Sequence, residues 1–573
     1  MKKICHTNPQ SKMIRPFTVL LKHFVLRLFN NDIIKYENEN KERTLIVLAM
    51  LAVAGGFISR QCLAPYFYSA LSGATINTIW IDKTAFLTMG MAIAGIFSIL
   101  NWDNFFLDKI DFINLRVLPI KLRSLYISKF LSLLIFVAIL TVAFNGIAVV
   151  IFTIFLANLV STNLIYFGFT HFFTNFLANL FIFLSCACIQ SLLTALSQYK
   201  LIKKISDFIQ VGLLVVFIST FFWIPKLLIL LPALKDNLSA FIYYFPPLWF
   251  TGIYEGMTGN GDPVFKAHLY IAICFLFVTT FLYLLSFPIT FKRFLDKVAE
   301  EKSTSPYLNL KMRLNNLFHL LVLRDPIQRG IFYFIQKSLK RSKQHKIQLA
   351  MYMAVPLGFI LTKLLSLYWE EGINRLKIPG IYLISTPLII YFFLIIGLRM
   401  IIRHPVFLRA NWIFKLTESE EKENYLNGIK KALFFIAGLP FFALFFIFFY
   451  YFWGFQLATY HSLFAISLFL LLIELFFLNY KSIPFTCEFN PAKPNIKAYW
   501  PIYVFCTINF LTFFSYLGFF LLKRPKFYGL YYIVILLIII YLVWKQNKKV
   551  QKEEFHFIYD AESAPVMLSL NIN

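Results

Sequence analysis

Long, unbroken apolar runs separated by short polar stretches dominate the chain. They fall at residues 44–64, 84–100, 130–158, 174–196, 208–231, 267–288, 347–368, 380–402, 431–453, 461–479, 498–522 and 528–545. Each comes near or exceeds the ~20 residues a helix needs to cross a bilayer. None alternates with the period of two that a membrane barrel strand requires. The pattern therefore predicts an all-α, polytopic membrane protein of about 12 transmembrane helices.

Two amphipathic stretches break this rhythm. Ahead of the first run, Phe17, Leu20, Leu21, Phe24 and Leu28 recur at helical spacing, with Lys22, His23 and Arg27 elsewhere on the wheel. A helix over 16–35 can thus lie in the headgroup plane as an elbow. The first 43 residues spread nine basic residues along this stretch, unlike the short basic start and apolar core of a cleaved signal. After the sixth run the same layout returns. Asp325-Pro326 reads as an N-cap followed by a first-turn proline, and Ile327, Ile331, Phe334 and Ile335 form an apolar stripe beside Arg329, Lys337, Lys340 and Arg341. A second elbow is expected over 325–345. Two six-span halves follow, residues 1–300 and 301–573, the second ending in a short cytoplasmic tail.

The halves also share their connections. Segments 101–129 and 403–430, each of about thirty residues, join the second and third runs and exceed the usual 2–8 residues of a helix connection in a bundle. The first carries Trp102, Asp103, Asp108, Asp111, Arg116 and Arg123. The second carries Arg409, Trp412, Glu418 and Glu421, with Thr417 and Glu420 spaced as a capping box. One connection differs: between runs five and six lie Tyr243, Tyr244, Pro246, Pro247, Trp249 and Tyr254. Either a segment dipping into the outer leaflet over 240–258 or a surface loop with an aromatic belt accounts for them.

Composition agrees. Of the 573 residues, 59% are hydrophobic and only 14% charged, against about 25% charged in a soluble domain. The net charge of +27 would suggest nucleic acid in a soluble protein, but here it follows from orientation. Assigning connections alternately puts roughly 44 Lys and Arg on one side and roughly 8 on the other, the asymmetry of the positive-inside rule. Both termini are expected in the cytoplasm of a bacterial cell, with anionic lipid as the partner of the basic segments and no nucleic acid partner.

Catalytic chemistry has no visible home. No Gly-Lys dipeptide occurs, so a phosphate-binding loop with its lysine is excluded. No zinc-protease or serine-hydrolase motif is present, and the seven cysteines are scattered. The chain is read as a non-enzyme, without catalytic, cofactor-binding or metal residues. Ionisable groups inside the apolar runs are few. Arg60, Lys226 and Lys363 lie near the outer ends of their runs, where long side chains reach headgroups, whereas Glu474 lies ~8 Å from the inner boundary, neutral, paired or wet, and is a candidate for lining a cavity.

This layout resembles the membrane subunits of ABC transporters of the type 2 permease class. Trp102-Asp103, Leu118-Pro119, Tyr244 to Trp249, Arg324-Asp325-Pro326 and Leu408 to Trp412 also look like a set of large bacterial membrane proteins grouped loosely with such permeases. The resemblance implies an exporter for a hydrophobic or amphiphilic substrate, with ATP handled by a separate ABC ATPase subunit. The ATPase-coupling positions would be Trp102, Asp103, Asp108, Asp111, Arg116, Arg123, Arg409, Trp412, Glu418, Glu420 and Glu421. The alternative is a membrane scaffold or lipid-interacting assembly protein that transports nothing.

Overall fold

The computed structural model describes residues 9–29, 40–69, 79–106, 122–157, 162–196, 199–236, 240–297, 318–319, 322–372, 376–404, 421–486 and 495–551. Among these residues it is α-helical, with no strand, and twelve helices are long and apolar enough to cross a membrane. It is an all-α, multi-pass membrane protein. The chain divides into two compact units, Met1–Lys302 and Ser303–Asn573.

In unit 1, helix α1 (Pro9–Phe29) precedes spans α2 (Asn40–Ser69), α3 (Ile79–Leu100), α4 (Leu122–Leu156), α5 (Leu164–Leu196) and α6 (Tyr199–Asp236). Two short helices follow, α7 (Ala240–Tyr244) and α8 (Pro246–Met257), before span α9 (Pro263–Lys297). The apolar stripe of α1 packs onto the start of α4, with Leu20, Phe24 and Leu28 buried beside Leu125. The ammonium of Lys129 stands 4.7 Å over the Phe24 ring. An elbow that sequence alone lays against lipid thus uses its greasy side on protein, because burying that stripe against a neighbouring helix also removes it from water.

Unit 2 opens with α10 (Pro326–Arg341), then spans α11 (Lys343–Glu371), α12 (Ile381–Arg403), α13 (Lys422–Trp453), α14 (Phe455–Phe477), α15 (Asn495–Lys523) and α16 (Tyr528–Val550). Asp325 caps α10 by accepting from the N–H groups of Ile327 at 2.8 Å and Gln328 at 3.0 Å, as its Asp-Pro start predicts. Ile331, Phe332 and Ile335 pack against the start of α13. In both units, therefore, the helix preceding the first span docks on the third. Helix α13 contains a π-turn at Phe434–Gly438, where the carbonyl of Gly438 accepts the Tyr391 hydroxyl at 3.2 Å. Gly454, at φ +78°, makes the tight turn into α14 that a side chain would strain.

The second and fourth spans form the centre of each unit. In their most apolar windows 72% and 50% of residues are buried for α3 and α5, and 61% and 56% for α12 and α14, against 17–39% in the other spans. Close approach relies on glycine: a Cβ on Gly55 of α2 would stand 1.8 Å from the Phe144 carbonyl oxygen of α4.

Candidate functional site

The spans are longer than hydropathy alone suggests, and this is what assembles a polar site in unit 1. Helix α3 begins at Ile79, so Lys83 belongs to its first turns and not to a preceding loop. The Pro246-Pro247 pair begins a helix, since its missing N–H groups cost nothing in the first turn. Helix α8 is buried from Pro247 to Glu255 among α3, α5 and α9, so this stretch is a packed helix and not a surface loop. Gly252 permits this, because a Cβ there would lie 2.6 Å from the backbone nitrogen of Leu269 on α9.

Lys83 and Glu255 meet at that junction. Nζ of Lys83 lies 2.8 Å from Oε1 of Glu255, with the two side chains only 1% and 7% exposed. The other carboxylate oxygen accepts from Asn260 at 2.8 Å, and the ammonium lies 3.5 Å from the Thr258 hydroxyl. It also stands 4.4 Å over the ring of Tyr254, a cation–π contact strengthened by the absence of water. The Tyr254 hydroxyl lies 3.0 Å from Nδ1 of His171, and Thr84 and Thr251 join their hydroxyls at 2.9 Å. The charges neutralise one another, and every strong donor and acceptor of the ion pair has a partner, as burial demands.

Beyond His171 the polar file continues toward mid-membrane. The imidazole packs against the rings of Phe86 and Phe152, with centroids 5.1 and 4.6 Å away, and those two rings also touch each other at 5.1 Å. Its backbone carbonyl accepts from Asn175 at 2.8 Å. Asn179 donates to the Thr141 hydroxyl and Asn145 to the Thr141 carbonyl, each at 3.0 Å. Gly90, Asn145 and Asn175 each lie eleven residues from the same end of their helices, ~16 Å deep at 1.5 Å per residue and so near the middle of a ~30 Å core. The amide oxygens of Asn145, Asn175 and Asn179 have no hydrogen-bond partner among the described residues. Those of Asn175 and Asn179 converge beside Gly90, 3.5 and 3.6 Å from where its Cβ would be. The arrangement can hold small hydrogen-bond donors such as water. No group of three metal-ligating side chains occurs among the described residues.

Nearer the far end, Lys235 pairs with Asp262, which also accepts from the Val264 N–H at 2.9 Å as α9 begins. Burial pushes the Asp262 carboxyl up, but its bond to the Lys235 ammonium and that N–H outweigh burial and hold it below its ordinary range.

The residues singled out in the sequence fall elsewhere. Glu474 is paired with Lys430 of α13 at side-chain exposures of 13% and 10%, and Lys430 also bonds Gln546 of α16, whose amide donates to the Phe477 carbonyl at 2.8 Å. It ties three helices together. Arg60 is exposed, and Lys363 is half-buried with its ammonium 5.2 Å over the Tyr382 ring. Trp102 is 1% exposed and donates to the Ser206 hydroxyl at 3.2 Å, anchoring the exit of α3 against α6. Asp103, Arg123 and Glu421 are exposed. Asp108, Asp111, Arg116, Arg409, Trp412, Glu418 and Glu420 lie outside the described residues. Beside Glu421, Asn424 of α13 bonds Asp325 at 3.2 Å and Gln328 at 2.7 Å, and Lys431 reaches Gln328 at 2.6 Å, so side chains as well as apolar packing fasten α10 to α13.

Lys83 and Glu255 carry the site, yet sequence reading passed over both. Lys83 stands immediately before the run beginning at residue 84 and counts as a flanking charge; Glu255 sits in an aromatic connection. The Asn and Thr pairs at i,i+4, Asn175 with Asn179 and Thr141 with Asn145, are the signal that would have exposed the file, since such spacing puts both members on one helix face.

No protein-family model matches the chain, and neither a curated protein nor a solved structure is similar to it. The class rests on fold and composition: a polytopic α-helical membrane protein whose described residues hold six helices long and apolar enough to span a membrane in each of two compact units.

Proposed function

We propose that this chain is the membrane-embedded permease subunit of an ABC-type exporter in a bacterial plasma membrane. A separate cytosolic ATPase would drive it, a hydrophobic or amphiphilic compound would be its substrate, and both termini would be cytoplasmic. The observation that carries the reading is the doubled linkage of elbow to third span, α1 on α4 and α10 on α13. Each of these third spans begins directly after one of the long connecting segments, so a pull on that segment would reach the elbow and the span together. The buried polar file adds support: polar groups at mid-depth cost free energy in a bilayer and are commonly retained for a pathway.

A lipid-interacting assembly protein that transports nothing is favoured by one fact, that Lys83 and Glu474 both spend their neighbouring charge on an internal partner. Purification in mild detergent from the native host separates the readings. A nucleotide-hydrolysing subunit should copurify and be lost on charge reversal at Asp103, Asp108, Asp111, Glu418, Glu420 and Glu421. Wild-type protein that retains no such partner, with reversals that change nothing, contradicts the exporter.

A further inference from the structure

Where α3 meets α4 and α5, Gly90 leaves room for a body of methyl size. A Cβ there would stand 3.5 Å from Oδ1 of Asn175, 3.5 Å from Cε1 of Phe144 and 3.6 Å from Oδ1 of Asn179, all ordinary contact distances. Hydrogen bonding fixes which way both amides face. Nδ2 of Asn175 donates at 2.8 Å to the His171 carbonyl, which can only accept. Nδ2 of Asn179 donates at 3.0 Å to the Thr141 hydroxyl, whose own hydrogen goes to the Val137 carbonyl at 2.8 Å. Turning either amide over would set oxygen against oxygen, so both Oδ1 atoms are held toward Gly90. Asn175 and Asn179 are 1% and 4% exposed, and neither oxygen has a donor among the described residues. Two buried acceptors facing one small space call for an occupant with two hydrogens to give. Unit 2 is built differently where its second span meets the third and fourth. There α12 carries Tyr391, ten residues from its start, as Gly90 lies eleven from the start of α3. The Tyr391 ring packs on Phe469 of α14 at 4.6 Å and its hydroxyl donates to the Gly438 carbonyl of α13, so one side chain closes the junction and finds its own partner.

We propose that the junction at Gly90 in unit 1 is a binding site for a single water molecule, which donates one hydrogen to Asn175 and the other to Asn179 and rests against Phe144. Water matches the site in size and in count, two hydrogens for two oxygens. A metal cation would bring an uncompensated charge among neutral dipoles, since Lys83 and Glu255 neutralise each other. An apolar occupant would leave both oxygens unpaired. The site is independent of the exporter reading, since a resident water suits a transporter and a scaffold alike.

The test substitutes position 90 in the full-length protein and follows thermal unfolding in detergent. By helix propensity alone Ala would be the most stable residue there, Ser next and Gly last, since a Cβ meets no clash. A resident water predicts the reverse order. Gly90→Ala expels it and strands two acceptors, lowering the unfolding temperature by several degrees, and Gly90→Ser loses less because its hydroxyl returns one donor. In a background of Asn175→Leu with Asn179→Leu the acceptors are gone, and Gly90→Ala should then raise the unfolding temperature. The wild-type value should be the same in sodium, potassium and choline chloride at equal ionic strength. Whether or not the variants fold, a cryo-EM map of the wild type fine enough to show ordered solvent should hold one peak about 2.8 Å from both amide oxygens. Gly90→Ala as stable as the wild type or more so, such a map without that peak, or a sodium-specific rise in stability that Asn175→Leu removes would overturn the proposal.

Discussion

Lys83 and Glu255 illustrate how a buried charge pair constrains its own mutants. Removing one member leaves the other buried without a counter-charge, which costs about 3–5 kcal/mol, whereas replacing both by apolar side chains of similar volume is often nearly neutral. Lys83→Met and Glu255→Gln should therefore each lower the unfolding temperature in detergent strongly, and Lys83→Met with Glu255→Leu should lower it less than either single change. Additive losses in the double variant would mean the pair is not coupled. The partly exposed Lys235–Asp262 pair gives a pH signature of known sign. A carboxyl held below its ordinary value contributes stability that is present above about pH 4 and lost as the pH falls through the lower, folded-state value. Thermal unfolding scanned from pH 6 downward should show this loss in the wild type and a flatter profile in Asp262→Asn. These positions were poorly legible in the sequence because hydropathy weighs a residue by its neighbours along the chain. Lys83 has polar neighbours on one side in sequence and apolar helices around it in space.

Among the elements, legibility was uneven for a similar reason. The apolar centres of the spans were plain, but their ends were set short, as at α5, which begins at Leu164 and not at residue 174. Tyr166, Thr170 and His171 look like loop until the aromatic residues around them are seen to bury the polar groups. Of the two readings of 240–258 the surface loop is replaced by the buried helix α8, and Gly252, whose missing side chain lets α8 lie on the backbone of α9, permits that packing. Gly252→Ala and Gly55→Ala should each cost about 1–3 kcal/mol by overpacking, measured as loss of thermal stability or of monodisperse protein in detergent. Gly146→Ala meets nothing within 4 Å and should be tolerated. Equal effects at all three positions would show that helix propensity, and not close packing, governs these glycines. The elbows were legible as amphipathic helices, but the partner of their apolar stripe was not. A wheel shows which face is greasy and not what covers it.

At the scale of the whole chain, the repetition of layout was visible without any matching of residues, through the return of an amphipathic helix, six apolar runs and a long connection after the second. The structure adds that the second and fourth spans occupy the centre of each unit and that the elbow docks on the third span in both. Unit 2 repeats part of the file, with His461 buried near the start of the fourth span and packed on Phe449 of the third as His171 packs on Phe152, but its ion pair, Lys430 with Glu474, lies at the opposite end of these spans. If the file admits water, hydrogen exchange at Asn175 and Asn179 side-chain amides should be faster than at the dry core around Tyr391 and Phe469. The account stands on six spans separating α1 from α10, which puts both elbows on one face of the membrane. Labelling with a membrane-impermeant maleimide in intact cells, in a cysteine-free background, tests this with single cysteines at the exposed positions Lys22, Lys337, Gly259 and Lys377. The account predicts that Gly259→Cys and Lys377→Cys label from outside while Lys22→Cys and Lys337→Cys label only after permeabilisation; labelling of Lys22→Cys and Lys337→Cys from opposite faces would contradict it.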